Sequence, residues 1–141
     1  MPVYSINLVA VLAASVVCFI LGWIWYSPLL FGNRWMKELG IKRPEKMTPE
    51  VKGQMGRSMF FGFLFTFLTS YVLAHFLTFM NLSAVSDVAQ LVLWLWLGFT
   101  FPVIMTGYLW EKKTLTLVMI ASGQTFVSLL VAGVIITSMS N

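Results

Sequence analysis

Four stretches of this chain, at about residues 6–26, 58–80, 88–109 and 115–138, are free of Lys, Arg, Asp and Glu and almost wholly apolar. A helix needs about 20 such residues to cross a bilayer, where every backbone N–H and C=O must be bonded without water. That feature removes most folds. A soluble helical domain keeps a polar side on each helix, whereas these runs are apolar all round. With 59% hydrophobic and only 10% charged residues, the chain also has too few charges to cover a soluble globule. The expected fold is all-α: one polytopic membrane domain over residues 1–141, with four transmembrane helices.

The charges that remain are segregated. Seven of the nine Lys and Arg residues (Arg34, Lys37, Lys42, Arg43, Lys46, Lys52 and Arg57) lie between the first and second runs, and Lys112 and Lys113 lie between the third and fourth. The other side carries only Asp87 and the chain termini. By the positive-inside rule the 28–57 loop faces the cytoplasm, and both termini face outward. The net charge of +4 then points to the anionic headgroups of the cytoplasmic leaflet rather than to nucleic acid. The opening MPVYSIN has no basic region, so a cleaved signal peptide is not expected.

Between Gly22 and Gly40 the chain leaves hydrocarbon. Trp23, Trp25, Tyr26 and Trp35 gather around Pro28 and Gly32, and Arg34, Lys37 and Glu38 follow at once. Indole and phenol rings suit that boundary because they are apolar bodies with one polar atom. Phe31, Trp35, Met36 and Leu39 recur at helical spacing against Asn33, Arg34, Lys37 and Glu38. This predicts a short amphipathic helix on the cytoplasmic surface, ended by Gly40. Thr48-Pro49-Glu50 has the grammar of a helix start, a hydroxyl cap then proline then acid, for a helix that runs on into the second span.

Within the spans, Asn7, Ala14, Ser15, Cys18, Gly22 and Trp25 share one side of the first helix and should face protein. The second span offers Ser58, Gly62, Thr66 and Thr69 on one side, and Tyr71, His75 and Thr78 on nearly the opposite one. In the third, Asp87 is placed to cap the helix, and Asp87, Gln90, Trp94, Gly98, Phe101 and Met105 align on one face. Pro102 should kink it and loosen the Gly98 carbonyl. The fourth aligns Ala121, Thr125, Ser128 and Ala132, with Gln124 near its middle. The two Trp-x-Trp pairs, at Trp23/Trp25 and Trp94/Trp96, echo one another. Duplicated hairpins or convergent interface chemistry would each give this, and convergence is the preferred reading.

Taken together, Ile6-Asn7, Gly22, Trp25-Tyr26-Ser27-Pro28, Phe31-Gly32, Trp35-Met36-Lys37 and Trp110-Glu111-Lys112-Lys113 give the chain a family likeness. It resembles domain-of-unknown-function family 1761, small integral membrane proteins of bacteria, over nearly its whole length. The resemblance implies four spans in a bacterial inner membrane. It implies no activity, so no functional residues carry over.

Candidates for chemistry are few. His75 is the sole histidine. Four or five residues from the outer end of its helix, it reads as a structural residue that snorkels to the headgroups or hydrogen-bonds Asn7 or Tyr71, with proton relay as the alternative. Asn7, Gln90 and Gln124 read as interhelical polar contacts, and Pro102 with Gly98 as a packed kink. Trp25, Tyr26, Pro28, Gly32 and Trp35 read as the interfacial elbow. There are no paired intramembrane carboxylates, no second histidine and no phosphate loop, so neither enzyme chemistry, a metal nor a cofactor is expected. Two function classes stay open: a non-enzymatic packing or interaction module, which is preferred, and a small channel or transporter with its pathway at an oligomer interface. The two polar sides of the second span lead to the expectation of a homo-oligomer, most simply a dimer.

Overall fold

The structure, a computed structural model, describes residues 4–140; the chain ends whose sidedness the charge pattern addresses lie outside the described residues. The elements are α1 (Leu8–Trp25), α2 (Gly32–Leu39), α3 (Pro49–Phe79), α4 (Val85–Leu95), a π-helical turn (Trp96–Thr100), α5 (Phe101–Trp110) and α6 (Leu115–Ser140). α4, the π turn and α5 form one continuous span, so four helices are long and apolar enough to cross a membrane. Among the described residues there is no strand.

Local chemistry accounts for the ends of these helices. The Asn7 side chain caps α1 by accepting from the Ala10 N–H at 3.1 Å, and its amide donates to the Met139 carbonyl at 3.2 Å. One residue thus ties the start of α1 to the end of α6. Thr48 caps α3 by accepting from the Val51 N–H at 3.2 Å, with Pro49 in the first turn. α3 then runs unbroken for 31 residues, about 46 Å against a hydrocarbon core of about 30 Å, so its basic first turns project beyond the apolar region. α2 ends at Gly40 in the left-handed region, φ 69°.

Asp87 is a correction. It does not cap the third span: α4 begins two residues earlier, at Val85 behind Ala84, and Asp87 lies exposed in the first turn. A carboxylate there still meets the positive end of the helix dipole.

α6 is the hub. It packs against α1, α2, α3 and every part of the third span, while α3 and the third span barely touch. Small residues make the close approaches. Ala10, Ala14, Ser15 and Cys18 are the buried side of α1, whereas Leu12, Val16, Ile20 and Trp23 face outward. Gly133 of α6 lies against α4, where a Cβ would stand 2.7 Å from Val88 Cγ1. Lipid is as apolar as leucine, so such packing rather than exclusion of water holds the helices together.

The third span does not keep one face. Asp87, Gln90, Trp94 and Gly98 all lie exposed toward the outside, whereas Phe101 and Met105 are both half-buried. The extra residue of the π turn rotates the helix beyond it, and the Phe101 N–H bonds the Trp96 carbonyl, five residues back. This turn is how the span accommodates Pro102, which has no N–H for the Gly98 carbonyl. Gly98 itself has open space on its outer side.

Candidate functional site

The residues singled out in the sequence do not converge on one place. They fall in three, and the one in the middle of the bundle was only partly foreseen.

The first place is the elbow. After α1 the chain folds back on itself, with the Phe31 N–H bonded to the Trp25 carbonyl at 3.0 Å and the Gly32 N–H to the Ser27 carbonyl at 2.9 Å. Gly32 is buried there, and any Cβ would overlap the Tyr26 carbonyl and the Ser27 backbone, so only glycine fits. Phe31 packs on Trp25 with ring centroids 4.8 Å apart, and Trp35 on Tyr26 at 5.2 Å. Pro28 is exposed at the tip. The Trp25 indole donates to the Ile120 carbonyl of α6 at 3.1 Å, and Gly123 leaves room for its ring.

The second place is at the far end of α3. His75 finds its partner in Tyr4, whose hydroxyl lies 3.0 Å from Nδ1. The expected partners are otherwise engaged: Asn7 caps α1, and Tyr71 meets the imidazole edge-on with centroids 4.7 Å apart while stacking on Phe67. Tyr4 was missed because nothing in its sequence surroundings marks it as reaching 71 residues along the chain.

The third place lies in the middle of the bundle. Where α3 and the third span part, they leave a chamber of about 250 Å³ with α6 as its floor. Its walls are Cys18 of α1, Phe65, Thr66, Thr69 and Ser70 of α3, Thr100 of the π turn, and Gln124, Thr125, Ser128, Leu129 and Ala132 of α6. Each of these lies well inside its span, remote from both ends. No lining residue carries a charge.

Most polar groups around it are bonded locally. Thr66 and Thr69 donate back to the carbonyls of Gly62 and Phe65, at 2.8 and 3.0 Å. The Gln124 amide donates to Ser128 Oγ at 2.8 Å, and the Cys18 thiol to the Ser128 carbonyl at 3.3 Å. The Trp96 indole donates to the Ser122 carbonyl at 2.9 Å and lies 3.2 Å from Thr125 Oγ1. Ser70 differs. It is 1% exposed, yet no hydrogen bond joins its hydroxyl to any described residue. The Thr100 hydroxyl and the Gln124 carbonyl oxygen likewise take no described partner. Ser70 and Thr100 went unnoticed in the sequence because a lone hydroxyl in an apolar run has no local signature.

Such a chamber can hydrogen-bond a neutral group. Among the described residues no three of His, Cys, Asp and Glu come together as metal ligands would. Gln90 and Asp87 stay near the start of α4, apart from all three places.

Four apolar spanning helices, with their large apolar side chains turned outward around small-residue contacts, define a multi-pass membrane protein. The family model described as "Protein of unknown function (DUF1761)" matches residues 9–137, and the chain belongs to that family. No curated protein and no solved structure matches it.

Proposed function

We propose that this protein is a non-enzymatic helix-bundle module that acts by binding within the bilayer, and that its working surface is the midspan chamber. The observation that carries this is Ser70, a residue only 1% exposed that lines a chamber with no charged wall and whose hydroxyl takes no described protein partner. A hydroxyl at that depth gains by bonding a polar group that enters the chamber. The second reading, a small channel or transporter, draws on the π turn and Pro102 beside the chamber, since interrupted helices line the midplane sites of transporters. Reconstituted vesicles separate the two. Binding alone predicts that flux of protons, ions and small neutral solutes stays at the level of protein-free vesicles; a sustained flux that falls in Ser70→Val moves the protein to the transport class.

The setting we propose is a bacterial inner membrane, with the 28–57 loop and α2 on the cytoplasmic side against anionic headgroups. The support is that all nine Lys and Arg residues lie toward one end of the spans. A periplasmic reporter fused after Asn141 should be active and a cytoplasmic one silent; the reverse result would refute this orientation. A homo-oligomer belongs to the same proposal, but its motive shifts. Tyr71 and His75 have partners within the chain, so a second copy would pack on the outward apolar faces rather than on that polar edge.

A further inference from the structure

The chamber adjoins a second recess of about 410 Å³ on the same side of the bundle, walled by Leu68, Val72 and Phe76 of α3 and by Leu95 and Phe99 of the third span. Thr69, Thr100 and Leu129 belong to both. A hydroxyl-lined pocket therefore lies beside a hydrocarbon-lined groove, and the groove is open to the bilayer: Phe99 is 75% exposed. The chamber is the more polar of the two, and they share one wall.

That pairing constrains an occupant. Its polar group must be neutral, because no lining side chain carries a charge and an unpaired charge at this depth is costly. A phosphate-bearing headgroup is thereby excluded from the chamber. The polar group must also hydrogen-bond, since Ser70 and Gln124 hold unused bonding capacity there. The rest of the molecule must be apolar, because the groove offers it aliphatic and phenyl surface. A small neutral solute would use the first recess and leave the second unused.

Resting on the binding reading above, we infer that chamber and groove together hold an uncharged amphiphile of the bilayer, a long-chain alcohol or carbonyl compound. A hydroxyl there accepts from Ser70 and donates to the Gln124 carbonyl oxygen, whereas a carbonyl compound accepts from Ser70 alone, and the hydrocarbon of either lies along Val72, Phe76 and Phe99. The open gap between α3 and the third span gives it entry from the lipid without passing through water.

The test uses the full chain in nanodiscs and three photoreactive probes of equal chain length: a long-chain alcohol, the matching alkane and the matching quaternary ammonium. At sub-saturating probe the alcohol should label α3 around Ser70 and the π turn about fivefold more than the alkane, the worth of one neutral hydrogen bond. The ammonium should not label there. Ser70→Ala removes only an unbonded hydroxyl and should fold normally, yet lower alcohol labelling toward that of the alkane. Gln124→Leu should act in the same direction. Equal labelling by alcohol and alkane, or alcohol labelling unchanged in both variants, overturns the inference. So does absence of labelling with a dimer by native mass measurement, which would make a second copy the occupant. None of these outcomes bears on vesicle flux, so the binding reading stands or falls separately.

Discussion

The two halves of the bundle are built differently. Toward the end marked by Asn7, Asn81 and Met139, the helices share one dry core of Val11, Ala14, Leu73, Ala74, Leu77, Val88, Val92, Ala132 and Ile136. Gly133 lets α4 sit directly on α6 there. From the midplane toward the basic end, the contacts are made by large aromatic rings instead. Trp25 and Trp96 reach across and donate to backbone carbonyls of α6. Their neighbours two residues back, Trp23 and Trp94, are 57% and 61% exposed and face outward. The two Trp-x-Trp pairs thus share one mechanical arrangement, in which one ring pins a helix to α6 and the other turns to lipid. Small-residue contacts close a helix pair along its length, whereas a ring bridging to a carbonyl holds two helices apart. Between those two modes of packing the chamber opens.

The largest expected effect comes from spoiling the closed half. Gly133→Ala places a methyl against Val88, which is fully buried and stiff at χ1 and so has no rotamer to yield. Melting in mild detergent should show a loss of about 1–3 kcal/mol. The same change at Gly98 meets nothing within 4 Å and should be neutral or stabilising by up to about 1 kcal/mol, from alanine's better helix propensity. Equal effects at the two glycines would erase the distinction between the halves.

A smaller effect should separate the tryptophans. Trp25→Phe and Trp96→Phe keep an aromatic ring but lose the indole donor, which should cost about 1 kcal/mol each. Trp23→Phe and Trp94→Phe remove outward-facing donors and should stay within about 0.5 kcal/mol. If all four behave alike in melting, the pinning role is wrong.

The smallest concerns His75. Gln can replace a neutral imidazole's hydrogen bond to Tyr4, so His75→Gln should leave melting nearly intact. His75→Leu should cost about 0.6–1 kcal/mol, in the range of interhelical hydrogen bonds measured in lipid. In a double-mutant cycle with Tyr4→Phe, a coupling of zero would show that the two do not support one another. A proton flux abolished in both His75 variants with melting unchanged would instead make His75 a relay.

Much of the fold was legible because its signals are local. Four spans follow from run length, the α3 start from Thr48-Pro49, the end of α2 from Gly40, and α2 itself from the apolar spacing after Pro28. The protein-facing side of α1 could be read from its small residues. The Asp87 cap failed because a terminus can shift by three residues without changing composition. The face drawn through Asp87 and Met105 failed because a π turn leaves no plain mark beyond a nearby proline.

By itself the sequence determined that this chain is a four-span helical membrane protein, with its positive charge gathered between alternate spans and an aromatic boundary and short helix after the first span. Length, hydropathy, caps and charge all act within a few turns of a single helix, so no partner is needed to read them. Tertiary structure alone decided which polar groups meet: Tyr4 with His75, Trp96 with Ser122 and Thr125, and the hydroxyls of α3 with Gln124 and Ser128 around one chamber. The reason lies in the solvent. A span is apolar on both its protein and its lipid sides, so hydropathy cannot say which way a single serine points. Only the placement of four helices around α6 turned Ser70 inward.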